Sequence, residues 1–301
     1  MTNSTHSLSH SSFNSKSANQ KPTAILKFGG AAFECIEKFA HIASLIDTKI
    51  SHQFTTRAIV TSAMSGVTSN LISLAQQVSP TTSTPGTSTE SRSLCHREHD
   101  LLVSSGDRIS ASLLSIALNG RGVSAQSFTG SQAGIITTTD HSSAKIITIK
   151  PWRLKKALEE SIIPIVAGFQ GVSTALDVTT LGRGGSDISA VALAVALETE
   201  CVAFFKDVPF LYPKDPKEST QPQAPFHKLS YDSALSLMRS ATCAIHPRAI
   251  KLAKAHGIKL YFGSFNNIDR YPGTIISAKP RNSDSDRALE AQHMPHIMYE
   301  Q

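Results

Sequence analysis

Residues 178–217 read VTTLGRGGSDISAVALAVALETECVAFFKDVPFLYPKDPK, and the fold is decided there. The stretch opens on Gly182-Arg183-Gly184-Gly185-Ser186-Asp187. Residues 188–197 follow, nearly all apolar and without Gly or Pro, which predicts a helix buried on every side. Residues 202–205 form a short β-type run, and Pro209, Pro213 and Pro216 then break the chain into loop. Loop, buried helix, strand, loop is the pattern of a layered α/β protein. Glycines let backbone amides approach a ligand closely, and the helix N-terminus behind them favours anions. Arg183 can fork onto a carboxylate or phosphate. Ser186 or Asp187 is a candidate helix cap, and Asp187 also sits where it can hold a metal or order a charged group. A glycine-rich turn with an ordinary cap reads the same way.

Working outward, residues 24–28 predict a strand that Gly29-Gly30 breaks, with a helix over 33–46. That puts Lys27 and two glycine amides at one sheet edge, where ligands collect in α/β sheets. Residues 57–60 predict a second strand running into Thr61-Ser62-Ala63-Met64-Ser65-Gly66-Val67-Thr68, compact hydroxyl donors that suit a carboxylate and also cap the helix expected at 71–78. Residues 79–93 are Pro/Ser/Thr-rich and of low complexity. Gly106-Asp107-Arg108 leads into a helix to about Asn119, with Ile109, Leu113, Ile116 and Ala117 on one face. Its first-turn Asp107 suits the helix dipole or a ligand. Strands are expected at 123–128, 145–149 and 258–262, and the stretch 162–171 is an apolar strand running into glycines. Helices are expected from Pro151 to Glu160 with Trp152 and Leu154 packing, from Ser230 to Ser240, and from Pro247 to Gly257.

These motifs, in this order over about 24–274, resemble the aspartokinases of the amino acid kinase family. The resemblance rests on KFGG at 27–30, TSAMSGVTS at 61–69, GDRIS at 106–110, GSQAGIIT at 130–137, LGRGGSD at 181–187, DVPFLYPKDPK at 207–217, HPRA at 246–249 and Gly273-Thr274. It implies a three-layer αβα sandwich with a mostly parallel central sheet. It implies ATP-dependent phosphorylation of the L-aspartate side chain to 4-phospho-L-aspartate, the first step of lysine, threonine and methionine biosynthesis. Lys27 with the amides of Gly29 and Gly30 would stabilise the moving phosphoryl group, and Asp187 would organise the cations or Mg²⁺. Ser62, Thr68, Asp107, Arg183, Gly185 and Ser186 would hold the amino acid. Lys27, Lys206, Asp207, Tyr212, Lys214 and Asp215 would line the nucleotide pocket. ATP and Mg²⁺ are the expected cofactors and L-aspartate the expected partner; a homo-oligomer is left open.

Six positions depart from the family pattern. Ala31 and Ala32 replace hydroxyl residues, Asp107 replaces a longer Glu, and Lys206 stands where the family has Thr or Ser. Phe210 replaces a Gly on the adenine side, and Cys243 replaces a lysine near ATP. Two alternatives follow from these departures: a weakened homologue acting as a binding or assembly subunit, or a kinase for another small carboxylate.

The expected organisation is a Ser-rich tail at 1–22, a kinase domain at 23–278 and a polar tail at 279–301. Within the domain, about 23–160 would form the amino-acid and phosphoryl lobe and 161–278 the nucleotide lobe; regulatory ACT domains are not expected. The chain has 301 residues, 40% hydrophobic, enough for a substantial core. A net charge of +6 without a long Lys/Arg block suits a phosphate site and not nucleic acid. Cys35, Cys95, Cys201 and Cys243 are scattered without a CxxC pair, which argues against structural zinc and for a reducing, cytoplasmic setting with Cys201 as a buried thiol. No uninterrupted apolar run reaches the eighteen or so residues that span a bilayer.

Overall fold

The computed structural model describes residues 21–78, 89–213, 224–240, 245–266, 268 and 273–278, with the backbone alone at 89–94 and 238–240. The expected N-terminal tail up to residue 20, the low-complexity stretch at 79–88, Lys214, Asp215, Cys243 and the C-terminal tail lie outside the described residues.

The chain begins with β1 (Thr23–Phe28), a 3-10 turn (Gly30–Phe33), α1 (Ile36–Leu45), a π-turn (Ile46–Ile50) and the short α2 (Ser51–Gln53). It continues through β2 (Thr55–Thr61), α3 (Val67–Val78), α4 (Thr89–Val103), α5 (Ser105–Asn119), β3 (Ala125–Phe128), β4 (Ile135–Thr137) and β5 (Ile146–Ile149). Next come α6 (Trp152–Glu159), β6 (Ile163–Ala167), β7 (Gln170–Ser173), β8 (Val178–Thr180), α7 (Gly185–Ala196) and β9 (Cys201–Lys206). Last are β10 (Lys228–Ser230), α8 (Tyr231–Ser240), α9 (Pro247–His256), β11 (Lys259–Ser264) and β12 (Thr274–Ser277).

Among the described residues the main sheet runs β10-β12-β11-β9-β1-β2-β6-β3, parallel throughout except for the β11/β12 pair. Strands from both sides of residue 160 therefore share one sheet. A second sheet, β5-β4-β7-β8, comes from the segments around 130–180. The stretch 162–171, expected as one strand running into glycines, holds two: the chain turns at Gly168-Phe169, where Phe169 takes φ 69°, and β7 joins the second sheet.

β1 lies at the centre because its side chains serve both faces. Ala24, Leu26 and Phe28 enter the cluster built with α1 and α5; Ile25 enters the opposite one, built with α7, α8 and α9. Lys27 shares the face of Ile25, at the end of the strand. α7 is the helix buried on every side that residues 188–197 predicted, with Ile188, Ala190, Val191, Ala192, Leu193 and Ala194 at 0–1% exposure. The expected αβα layering with a mostly parallel sheet is what forms.

Two packing expectations are corrected. On α5 the expected Ile109, Leu113, Ile116 and Ala117 stripe faces the core only in part: Leu113 and Ala117 pack half-buried against it, whereas Ile109 is 49% and Ile116 68% exposed. The buried face is Ser110, Ala111, Leu114, Ser115 and Leu118. Small residues let the helix approach β3 and β6, and Ser115 Oγ donates to the Ala125 carbonyl at 2.9 Å. Trp152 is likewise 66% exposed, while Leu154 packs in its place. The buried Cys201 thiol is as expected, its pKa pushed up to about 12, mainly by burial. Residues 95–119, across α4 and α5, are long and apolar enough for a membrane span, yet half of that window is buried inside the fold, as in a core helix.

Candidate active site

The C-terminal ends of β1, β2 and β9 meet the N-terminus of α7 at one edge of the sheet. Lys27, at the end of β1, is 3% exposed, and its Nζ lies 2.7 Å from Asp187 Oδ1. An ammonium and a carboxylate out of water require each other's charge. Asp187 Oδ2 also accepts the backbone N–H of His246 at 3.1 Å. Burial pushes the Asp187 carboxyl upward, but Lys27, Lys206 and the His246 N–H overcome this and hold it below its ordinary range.

Asp187 and Ser186 are free for this because neither caps α7. The N-cap is Gly184, at φ 73° and without a side-chain hydrogen bond, so the expected Ser186 or Asp187 cap does not form. Asp187 turns to Lys27 instead, and Ser186 Oγ meets Ser62 Oγ at 2.8 Å. That contact ties the loop after β2 to the first turn of α7. Gly168 and Gly184 make room for it. A Cβ on Gly168 would lie 2.5 Å from Ser186 Cβ, and one on Gly184 would lie 2.1 Å from His246 Cγ.

Asp107, in the first turn of α5, is 2% exposed. Burial pushes its carboxyl well above the ordinary range, against the pull of Lys27 and a hydrogen bond from the Ala63 backbone. One ammonium thus influences two buried carboxyls, an Asp187 held below its ordinary range and an Asp107 pushed well above it. Gly30 packs on the same loop: its Cβ would lie 3.0 Å from the Ala63 carbonyl oxygen. Thr68 is half-buried in the first turn of α3.

Of the residues singled out in the sequence, Lys27, Gly29, Gly30, Ser62, Asp107, Gly185, Ser186, Asp187 and Lys206 come together here. Arg183 is exposed in the loop before α7 and close enough to His246 to help lower its pKa, after burial and Arg248. Asp207 is exposed just past β9, and Tyr212 is half-buried with its ring edge-on to Phe210 at 6.4 Å. Phe210 itself is 5% exposed, with the His227 ring 5.0 Å away, so it packs as core in this loop. Sequence reasoning gave no part to His246, whose N–H supports Asp187 and whose ring covers Gly184. Its signal was its place before Pro247, where its Nδ1 accepts the Arg248 N–H and caps α9.

Among the described residues no three His, Cys, Asp or Glu side chains cluster to hold a metal. The donors present, two ammoniums and glycine amides beside one ionised carboxylate, fit the phosphates of a nucleotide better than a cation held by the protein alone.

Comparison with known proteins points the same way. The amino acid kinase family profile matches residues 22–264. An aspartokinase of Corynebacterium glutamicum is 37% identical over 267 residues, which are 88% of this chain and 59% of that protein. The crystal structure of aspartate kinase from Synechocystis superposes with a TM-score of 0.69 at 34% identity, over 87% of this chain and 40% of that one. E. coli aspartokinase III, solved in complex with aspartate and ADP, superposes with a TM-score of 0.73 at 23% identity, over 86% of this chain and 65% of that one, a likeness of fold. The chain thus spans less than two thirds of the length of these relatives.

Proposed function

The chain belongs to the amino acid kinase family, and from that premise we propose that it transfers the γ-phosphoryl group of ATP to the side-chain carboxylate of L-aspartate, giving 4-phospho-L-aspartate and ADP. The observation that carries the reading is the buried Lys27–Asp187 pair at 2.7 Å, set beside Gly29-Gly30 at the carboxyl edge of the parallel sheet. The choice of aspartate draws on the aspartokinase relatives.

In this reading a carboxylate oxygen of aspartate attacks the γ-phosphorus in line. The new O–P bond forms as the bond to the bridging oxygen breaks, and that electron pair leaves with ADP. Such transfers depend on positioning and charge neutralisation and need no covalent link to the protein. Lys27 and the amides of Gly29 and Gly30 meet the phosphoryl oxygens. Asp187 keeps the Lys27 ammonium charged and aimed. Arg183, at the exposed mouth, takes the α-carboxylate, and Ser62, Thr68, Gly185 and Ser186 shape the rest of the acceptor pocket with Asp107. Lys206, Asp207 and Tyr212, with Lys214 and Asp215, serve the nucleotide. Magnesium would arrive on the phosphates, the usual way for an ion that sheds water reluctantly. Residues 23–160 then supply the phosphoryl site and most of the acceptor side, completed by Arg183, Gly185 and Ser186, and the rest of 161–278 serves the nucleotide.

Asp107, 2% exposed and one methylene shorter than the Glu of the family pattern, favours one further reading, a different small carboxylate acceptor, because its carboxyl stands farther back from the substrate. A coupled ADP-release assay with millimolar aspartate, glutamate or no acceptor decides between them. Aspartate-dependent turnover is expected, lost by about 10²–10³-fold or more in Lys27→Ala, as for removal of one transition-state charge. Turnover no higher than that of Lys27→Ala would sink the kinase reading; turnover with glutamate alone would move the substrate.

A further inference from the structure

β9 ends beside β1, with Phe205 in register with Phe28. The next residue of each strand line, Lys206 and Gly29, are therefore neighbours. A Cβ placed on Gly29 would lie 3.5 Å from Lys206 Nζ and 3.6 Å from Lys27 Nζ. The two ammonium nitrogens are thus within about 7 Å of each other over one bare glycine, a distance at which their charges act on the same group. Lys206 Cδ also lies 3.8 Å from that point, so the stem lies along the glycine as the head reaches past it. Asp187 registers both cations, since Lys27 and Lys206 each pull its carboxyl downward. The pair approaches from adjacent strands onto the Gly29-Gly30 turn, whose amides the kinase reading gives to the phosphoryl group. A tetrahedral phosphoryl group can bridge such a pair, and in transfer its charge spreads over three equatorial oxygens, more than one ammonium can meet.

We infer that Lys206 is a second catalytic ammonium, sharing the γ-phosphoryl charge with Lys27 in the transition state and not merely holding the nucleotide. The inference rests on the kinase reading for its reaction, but its test does not need the acceptor. Affinities for ADP and for ADP with aluminium fluoride, which stands for the planar phosphoryl group in transfer, are measured by calorimetry for wild type, Lys206→Met and Lys206→Arg. Lys206→Met is expected to lose on the order of 10²-fold for the fluoride complex and only a few-fold for ADP, with Lys206→Arg restoring part of the loss. With aspartate, the same variant is expected to lose kcat at nearly unchanged KM for ATP, the pattern of an interaction made only in the transition state. Equal losses for both nucleotide forms would make Lys206 a nucleotide-holding residue, and no loss in either would make it a bystander; each overturns the inference. If Lys206→Met fails to fold, Lys206→Gln against Lys206→Arg gives the same comparison with charge as the main difference. Wild type that distinguishes the two nucleotide forms but never phosphorylates aspartate would remove the proposed substrate and leave the role of Lys206 standing.

Discussion

Lys27 pulls two buried carboxyls downward, yet their net shifts are opposite. Asp187 touches the ammonium at 2.7 Å and is held below its ordinary range; burial outweighs that pull at Asp107 and pushes its carboxyl well above the range. The linkage to stability has opposite signs. The Asp187 contribution is present above the pKa of an unfolded Asp and is lost as pH falls through its lowered folded value. The Asp107 contribution is fully present below the unfolded pKa and is lost as pH rises through its raised folded value. Asp107→Asn keeps an oxygen to accept the Ala63 N–H and removes that titration. Its urea midpoint is therefore expected to exceed that of wild type at pH 8 and to converge with it near pH 4. If Asp107 also grips the substrate amino group, KM for aspartate rises about tenfold, the scale of one lost charged hydrogen bond. A midpoint difference that does not change between the two pH values would refute the raised pKa.

The site exists because three helix N-termini and three strand ends are set against one another with almost no spare volume. Gly184 is the tightest point: it needs φ 73°, and the His246 ring occupies the place of a Cβ. Gly184→Ala is expected to cost about 1–3 kcal/mol in backbone strain and to push His246, with its N–H, away from Asp187. Loss of turnover should accompany a lowered denaturation midpoint; wild-type values of both would show that the turn yields freely. α5 makes a separate prediction. Leu114→Ala, at 0% exposure, should cost about 2–5 kcal/mol, whereas Ile116→Lys, at a 68% exposed position, should stay within about 0.5 kcal/mol. Urea denaturation of the pair reads directly which face of the helix is inside.

Across the whole molecule, the main sheet gathers strands from distant parts of the chain so that residues 27, 62, 107, 187 and 206 share one edge. A ligand held there bridges β1, β2 and β9 and the N-terminus of α7, and stabilises them together. ADP at a hundred times its dissociation constant is expected to raise the unfolding free energy by about 2.7 kcal/mol, checked by thermal melts over an ADP series. A melt that ignores ADP at any concentration would place the nucleotide elsewhere or nowhere.

The local elements were legible because their signals are local. The buried helix of α7, the Gly-Gly break after β1, the proline start of α9 and its left-handed Gly257 follow from periodicity and backbone chemistry within a few residues. The layered α/β class and the membership of Lys27 and Asp187 in one site were legible too, through motif order. What only the tertiary structure decided involves partners far apart in the chain. Which face of α5 is buried depends on how closely β3 and β6 approach, so small serines and alanines displace the more apolar Ile stripe. The His246 N–H on Asp187 and the two ammoniums over Gly29 join residues 59 and 177 positions apart (187 to 246, 29 to 206). Burial, which pushes both the Asp107 and Asp187 carboxyls up, and the two ammoniums and the His246 N–H that bring Asp187 back down are properties of the assembled core and are written in neither residue alone.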